Sequence, residues 1–149
     1  MKTATAEWVS KAGADFDTLQ RECRARRRPN YDAACFHAQQ CAEKYIKGRL
    51  CEAGLSPPRT HDLVLLLDSV LPFEPIWDAY RDDLGLLSGF AVAFRYPGES
   101  ANVEKAKDAL RRCRRFREQA RASFGLPGAT RGGRRRGNSQ GRPRRRSKR

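Results

Sequence analysis

The 149-residue sequence predicts an all-α fold, an up-and-down bundle of five helices followed by a disordered basic C-terminal tail. Apolar residues recur every three or four positions in five segments, which is the spacing of one helix face. No segment alternates apolar and polar residues between turn residues, so no strand is predicted. After Pro127 the chain has many Arg and Gly residues and no large apolar side chain. We therefore assign residues 6–125 to the bundle and residues 126–149 to the tail.

The first two predicted helices are joined by a turn at Pro29. The first helix covers about Ala6 to Arg26, with an apolar side chain at every third or fourth position. Asn30 is expected to cap the second helix, because an amide side chain at this position accepts a hydrogen bond from the first turn. The second helix covers Tyr31 to about Ala53 and ends at Gly54, which suits the left-handed conformation that follows many helices.

The remaining three predicted helices are separated by proline and glycine. The third is short and starts after Thr60, its expected N-cap. The fourth is long, with an apolar stripe from Ile76 to Phe94. The fifth is capped by Ser100 and ends at Gly125. The connections are short, so neighbouring helices are expected to be antiparallel.

The charge of the chain is unevenly distributed. It carries 31 Lys and Arg against 17 Asp and Glu, and ten of the basic residues follow Leu126, where no acidic residue occurs.

The longest uncharged stretch, Leu84–Phe94, is far shorter than the roughly 20 residues that a membrane-spanning helix needs. The first sixteen residues contain Glu7 and Asp15 and lack the apolar segment of a secretory signal. We therefore expect a cytoplasmic protein that does not enter a membrane.

The cysteines and histidines form no metal-binding pattern. The five cysteines include no Cys-x-x-Cys pair, and the chain has two histidines. Reduced and mostly buried cysteines are the simplest interpretation. The sequence also lacks a Gly-rich phosphate loop and a Gly-x-Ser-x-Gly turn. We therefore expect no metal and no cofactor.

Three short strings lie on the second predicted helix, after the proline loop and at the end of the fourth predicted helix. They are Phe36–Lys47, Arg59–Leu63 and Phe94–Pro97, and they read FHAQQCAEKYIK, RTHDL and FRYP. In this order and at these separations they resemble the HEPN domain family, in particular its nucleotidyltransferase-associated members. The resemblance extends from about Trp8 to Phe124. It implies a four- or five-helix bundle, usually homodimeric, that binds or acts on nucleotides or RNA, often beside a nucleotidyltransferase in a toxin–antitoxin pair.

Ribonuclease members of this family carry an arginine followed four to six residues later by a histidine. Arg95 has no histidine at this spacing, and neither His37 nor His61 has an arginine at it. Metal-independent RNA cleavage needs a group that takes the 2′-hydroxyl proton and a cation that stabilises charge on the phosphate. The missing pair favours a binding protein over an enzyme. The enzymatic alternative is an endoribonuclease in which His61 and Arg95 meet through folding.

The candidate ligand contacts come from the same three strings. Arg95 lies near the carbonyl end of a helix, where a cation suits the dipole, and the resemblance places it beside the family's cleft. His61 is open to a structural role at a helix start or to ligand contact. Lys44 and Lys47 lie on a polar face of the second helix, which in most proteins is only solvated. The predicted ligand-binding residues are Lys44, Lys47, Arg59, His61, Arg95 and Tyr96.

Other charged segments have simpler interpretations. Arg81–Asp83 is expected to form an exposed face of the fourth helix. The arginines of the fifth helix and those between Arg24 and Arg28 form one basic surface if the first and fifth helices are adjacent; otherwise they are a solvated rim.

The Arg/Gly-rich tail resembles segments that bind nucleic acid through the phosphate backbone. The alternative is compositional, because the whole chain prefers Arg (24 residues) to Lys (7 residues). The tail residues predicted to contact nucleic acid are Arg131, Arg134, Arg135, Arg136, Arg142, Arg144, Arg145 and Arg146.

The sequence leaves three functions open. The first is a non-catalytic, homodimeric protein that binds nucleotide or RNA phosphate as the partner of a nucleotidyltransferase in a toxin–antitoxin-like or stress system. The second is the metal-independent ribonuclease that uses His61 and Arg95. The third is a module that only docks another protein. The first two require the strings around Gln40, His61 and Arg95 to converge on one cleft.

Overall fold

A computed structural model describes residues 1–128, which form five α-helices and one 3₁₀ helix and contain no strand. The elements are α1 (Thr3–Arg24), α2 (Tyr31–Glu52), α3 (Leu63–Val70), the 3₁₀ helix (Pro75–Tyr80), α4 (Arg81–Ala93) and α5 (Val103–Ser123). The predicted all-α five-helix fold is confirmed. All eight arginines assigned to nucleic-acid binding by the tail lie outside the described residues.

The helices α1 and α2 form a closely packed antiparallel pair. A Cβ on Gly48 of α2 would lie 3.0 Å from the Trp8 Cβ of α1, so glycine at this position permits the close approach. At the other end of the pair, the Asn30 backbone N–H donates to Glu22 Oε2 over 2.7 Å. The predicted cap is confirmed, because the Asn30 side chain accepts from the Ala33 backbone N–H. Gly54 follows α2 with φ 85°, as its predicted role requires.

The cap of α3 lies two residues beyond the predicted one. Asp62 Oδ1 accepts from the backbone N–H groups of Val64 and Leu65, at 2.9 and 3.3 Å. Thr60 instead accepts from the Asp62 backbone N–H and shapes the loop before the helix. The prediction that Thr60 caps α3 is therefore wrong. A carboxylate satisfies two amide groups here and also interacts favourably with the positive end of the helix dipole.

The predicted long fourth helix is divided into the 3₁₀ helix and α4. Ile76, predicted to be buried, is 67% exposed, whereas its neighbour Trp77 is fully buried. The prediction of an exposed Arg81–Asp83 face is wrong at Asp83, which is buried. Its carboxylate accepts from Arg112 and Arg115 of α5, each over 2.7 Å, and this pairing allows the charge to leave solvent.

The helix α5 lies antiparallel to α1 and closes the bundle. Near the start of α5, Cys23 Sγ of α1 donates to the Ala106 carbonyl at 3.6 Å. Beyond its end, Phe124 lies 3.8 Å from the Cβ position of Gly48. Asn102 caps α5 by accepting from the Lys105 backbone N–H, so the predicted cap at Ser100 is wrong. The first and fifth helices are thus adjacent.

One cluster of buried apolar side chains from all six elements forms the core. Its central aromatic group is Phe116, whose ring is contacted edge-on by Trp77 and Tyr80. The five cysteines are free, and three of them are fully buried, as expected. Among the helices of residues 1–128, none combines the length and apolar character that crossing a bilayer requires.

Candidate functional site

A cleft of about 570 Å³ opens between α2, the start of α3 and the last two turns of α4. Two residues that are 34 positions apart in the sequence, His61 and Arg95, both line it, together with Gln40. The three strings singled out in the sequence therefore contribute to one cleft. Its volume lies in the range of small-ligand sites in proteins, about 300–1,000 Å³.

His61 is held by a buried carboxylate of α2. Its Nδ1 lies 2.6 Å from Glu43 Oε1, and the Glu43 side chain is 5% exposed, whereas that of His61 is 78% exposed. An ionised carboxylate only accepts hydrogen bonds, so Nδ1 carries the proton and donates. In the neutral imidazole, Nε2 is then an acceptor on the exposed side of the ring. This pairing fixes both the tautomer and the orientation of a proton-transfer group at the cleft.

A chain of buried or half-buried polar groups supports this pair. Gln39 donates to the His61 backbone carbonyl over 2.7 Å, and Gln40 donates to Gln39 Oε1 over 2.8 Å. Lys47 Nζ lies 3.8 Å from Glu43 Oε2 and neutralises the carboxylate from the other side. This polar face of α2 was predicted to be solvated, but Gln39, Glu43 and Lys47 are buried. They are stable in this environment because each has a polar or charged partner.

Arg95 lies in the first turn after α4 and is exposed. Among residues 1–128, no carboxylate lies within ion-pair distance of its guanidinium. A guanidinium that no protein carboxylate neutralises, at the edge of a ligand-sized cleft, can make two parallel hydrogen bonds to a phosphate or a carboxylate.

The rest of the cleft wall is mostly apolar or small. Phe36 of α2 is 41% exposed and Val92 of α4 is 66% exposed. Gly89 of α4 also lines the cleft, and a Cβ placed there would meet no atom within 4 Å. The remaining lining residues are Gln39, Asp62, Val64, Gly85, Ser88 and Ala91. The cleft thus combines a cationic rim with an apolar surface on which a flat ring can pack.

Four of the six predicted ligand-binding residues do not line this cleft. Lys44 pairs with Asp15 of α1 over 2.5 Å, and the same carboxylate accepts from His37 over 2.7 Å. Lys47 is buried beside Glu43. Arg59 and Tyr96 are exposed in the loops that lead to His61 and follow Arg95. The two lysines therefore already neutralise protein carboxylates, and a phosphate in the cleft is left to His61 and Arg95.

The sequence interpretation did not single out Glu43, Gln39, Phe36 or Gly89 as site residues. The spacing of four residues between Glu43 and Lys47 indicates no more than an ordinary ion pair on a helix surface. The available signal was the density of polar residues on α2, with five between positions 39 and 47. A helix packed on several sides that carries this many polar groups must satisfy some of them internally.

The fold and this cleft together define a helical-bundle domain with an open, ligand-sized site that is lined by His61, Arg95 and exposed apolar side chains. Residues 5–122 match the family model described as HEPN domain. The chain therefore belongs to the HEPN domain family, whose functions concern nucleotides or RNA. No curated protein and no solved structure gave a significant match to the chain.

Proposed function

We propose that the cleft binds a nucleotide, free or at the end of an RNA, without cleaving it. The observation that carries this proposal is the convergence of His61 and Arg95 on a cleft that is also lined by the exposed apolar side chains of Phe36 and Val92. A nucleotide has matching groups, an anionic phosphate and a flat, weakly polar base. Arg95 binds the phosphate with His61 beside it, and the base packs on Phe36 and Val92.

Filling the cleft tests this proposal directly. Gly89→Leu introduces a side chain into open space on α4, and Leu is a better helix former than Gly. Gly13→Leu on α1 is the matched control, since a Cβ at Gly13 also meets nothing within 4 Å and this glycine does not line the cleft. We expect Gly89→Leu to abolish binding of labelled ATP, GTP and short RNA in titrations, and the control to retain the affinity within about twofold.

Removing the cation tests which atoms bind the phosphate. Arg95→Gln is expected to weaken nucleotide binding by about 10- to 100-fold, as for loss of a hydrogen bond to a charged group. Unchanged affinity in both Arg95→Gln and Gly89→Leu contradicts the proposal. If the intact protein binds none of the three ligands, the proposal is wrong, and the protein-docking function is the one that remains.

The pairing of His61 with Glu43 favours a second candidate, the metal-independent endoribonuclease. A histidine that lines a cleft and has Nδ1 held by a carboxylate, so that Nε2 remains to accept a proton, has the arrangement of a general base. In this mechanism Nε2 takes the proton of the 2′-hydroxyl, and Arg95 stabilises the charge on the phosphate. RNA cleavage in the presence of a chelator that His61→Ala abolishes supports the ribonuclease; no cleavage at high protein concentration contradicts it.

We also propose that the chain is homodimeric and acts with a nucleotidyltransferase partner in a toxin–antitoxin-like or stress system. Membership of the HEPN family supports this proposal, because HEPN domains often dimerise. Exposed apolar side chains near the cleft, Leu65, Leu86 and Val92, offer a contact surface for a second protein. Sedimentation of the purified chain, alone and with a coexpressed nucleotidyltransferase, measures both associations; a monomer in each case contradicts them.

A further inference from the structure

A strongly basic surface lies at the end of the bundle where α1 finishes and α5 begins. It consists of residues of the last turn of α1, of the α1–α2 turn and of α5. We call it the basic end, and its members are Arg21, Arg24, Arg26, Arg27, Arg28, Lys107 and Arg114. The Cys23–Ala106 contact brings the two helices together here. Burial raises the pKa of Cys23, and the nearby charges of Arg114, Arg24 and Lys107 oppose that rise.

Three acidic residues near the basic end have partners outside it, whereas Glu104 is exposed in the first turn of α5 and Asp17 shares a depression with Arg21 and Arg24. Glu22 accepts from the Asn30 backbone N–H, and Asp32 accepts from the Ala101 backbone N–H over 2.6 Å. Asp108 pairs with Arg111 and Arg112. Within residues 1–128, no member of the basic end forms an ion pair. The helix dipole accounts for Arg21 and Arg24 in the last turn of α1 but not for the three arginines beyond it.

The composition of the basic end fits a phosphodiester strand better than a membrane or a protein. Within the segments that form the basic end, Val103 at the start of α5 is the one exposed large apolar side chain, and it is 37% exposed. A membrane-binding helix needs such side chains to insert, and a protein interface takes most of its binding energy from them. Six of the seven members are arginines, whose planar guanidinium matches a phosphate bidentately. The cations are closely spaced, and a nucleic-acid backbone presents anions at a similarly regular, close spacing.

The α4–α5 loop connects the basic end to the cleft. Arg95 begins this loop and lines the cleft, whereas Ser100 and Ala101 at its other end share a depression of about 350 Å³ with Arg28. Arg28 has φ 51°, a left-handed conformation that costs a non-glycine residue energy. A strand whose nucleotide occupies the cleft can therefore continue along the loop to the basic end.

We infer that the basic end binds the phosphodiester backbone of a single-stranded nucleic acid. This inference goes beyond the proposed function. It rests on the proposed function only for the nucleotide of the same strand that occupies the cleft. The recognition is electrostatic, so RNA and DNA strands of equal length bind here with similar affinity. Contacts to the phosphates carry no sequence information, so this surface is expected to bind strands of different sequence with similar affinity.

The test compares two charge-matched variants of the full chain. Arg26→Gln/Arg27→Gln removes two exposed cations beyond the end of α1, and Lys2→Gln/Lys11→Gln removes two exposed cations from the other half of α1. Affinity for short single-stranded RNA and DNA is measured by fluorescence anisotropy at several salt concentrations. We expect the first variant to bind both strands about tenfold more weakly at low salt, with a salt slope smaller by about 1.4. The control is expected to change less than about threefold.

A second variant removes one cation without disturbing the backbone. Arg28→Gly suits the left-handed conformation, so the fold is retained, and Arg28→Lys keeps a positive charge there. We expect Arg28→Gly to weaken strand binding about threefold and to reduce the salt slope by about 0.7, and Arg28→Lys to restore most of both.

Failure of the inference and failure of the cleft proposal give different results. Equal losses of strand affinity in Arg26→Gln/Arg27→Gln and in its control overturn the basic end as a specific surface. The same conclusion follows if the protein binds phosphatidylserine-containing vesicles and that binding depends on the two arginines as strongly as strand binding does. Neither result affects ATP binding. Loss of ATP binding in Gly89→Leu, with an unchanged salt slope for the strands, supports two separate contacts. Unchanged ATP binding in Gly89→Leu contradicts only the cleft.

Discussion

Two buried thiols of α2 make the stability of the bundle depend on pH. Cys35 and Cys41 are fully buried. Burial raises the pKa of Cys35 to about 12 and holds that of Cys41 well above its usual range, with a hydrogen bond to Cys113 adding to the second effect. In the unfolded chain, both thiols lose their protons near pH 8.5. The contribution of each thiol is therefore complete below that pH and is lost as the pH rises toward the folded-state pKa.

We expect the free energy of unfolding to fall between about pH 9 and pH 11, by up to about 1.4 kcal/mol per pH unit for each thiol. Urea unfolding in the presence of a reductant measures this dependence. Cys35→Ala is expected to reduce the slope. Val70→Ala, which removes buried volume but no titrating group, is expected to lower the stability equally at each pH. The same slope in wild type and Cys35→Ala contradicts the assignment.

Among the residues of the candidate site, some could be predicted from the sequence and others, such as Glu43, could not. The strings around His61 and Arg95 could be singled out from the sequence because of the family resemblance, but their convergence on one cleft was only a requirement of the proposed functions until the structure placed both at it. The role of Glu43 could not be predicted, because periodicity identifies the faces of a helix but not which neighbours cover them. In the structure the side chain of His61, the amide of Gln39 and the ammonium of Lys47 all lie around that carboxylate. Its burial follows from these tertiary contacts.

At the scale of elements, the divided fourth helix is the main difference from the predicted fold. A four-residue spacing from Ile76 to Tyr80 predicted one α-helical stripe. In a 3₁₀ helix, however, residues three apart lie on the same side, and Trp77 and Tyr80 both pack against Phe116, with ring centroids 5.2 and 5.8 Å away. Trp77 also donates to Ser123 Oγ. Trp77 is larger and has a hydrogen-bond partner, so it is buried in the core, and Ile76 is exposed.

Helix caps provide the sharpest test of the element boundaries. Asn102 satisfies a backbone N–H of the first turn of α5, whereas Ser100 is exposed and lies two residues earlier. We expect Asn102→Ala to lower the free energy of unfolding by about 1 kcal/mol and Ser100→Ala to change it by less than about 0.5 kcal/mol. Urea midpoints of the two variants measure the difference. A larger loss in Ser100→Ala than in Asn102→Ala would place the start of α5 at the position predicted from sequence.

At the scale of the whole molecule, the up-and-down topology was predictable because each helix carries one apolar stripe between strong helix-ending residues. The distribution of charge over the folded surface was not, because it depends on which helices become neighbours. Adjacency of α1 and α5 brings Arg24 close to Lys107 and Arg114, with all three around Cys23. It also places the end of α5, at Phe124, beside Gly48 at the opposite end of the bundle. The basic end and Phe124 therefore lie at opposite ends of the bundle.

A chain that ends at residue 128 tests the division into bundle and tail. The buried apolar cluster extends from Ala12 to Ala120, so we expect this truncation to change the free energy of unfolding by less than about 1 kcal/mol. Residues 129–149 carry nine Arg and one Lys, so RNA affinity and its salt slope are expected to fall. The truncation and Arg26→Gln/Arg27→Gln remove different cations, so the two losses are expected to add. Urea unfolding and anisotropy titrations measure these effects; loss of cooperative unfolding contradicts the boundary, and unchanged RNA binding contradicts the role of the tail.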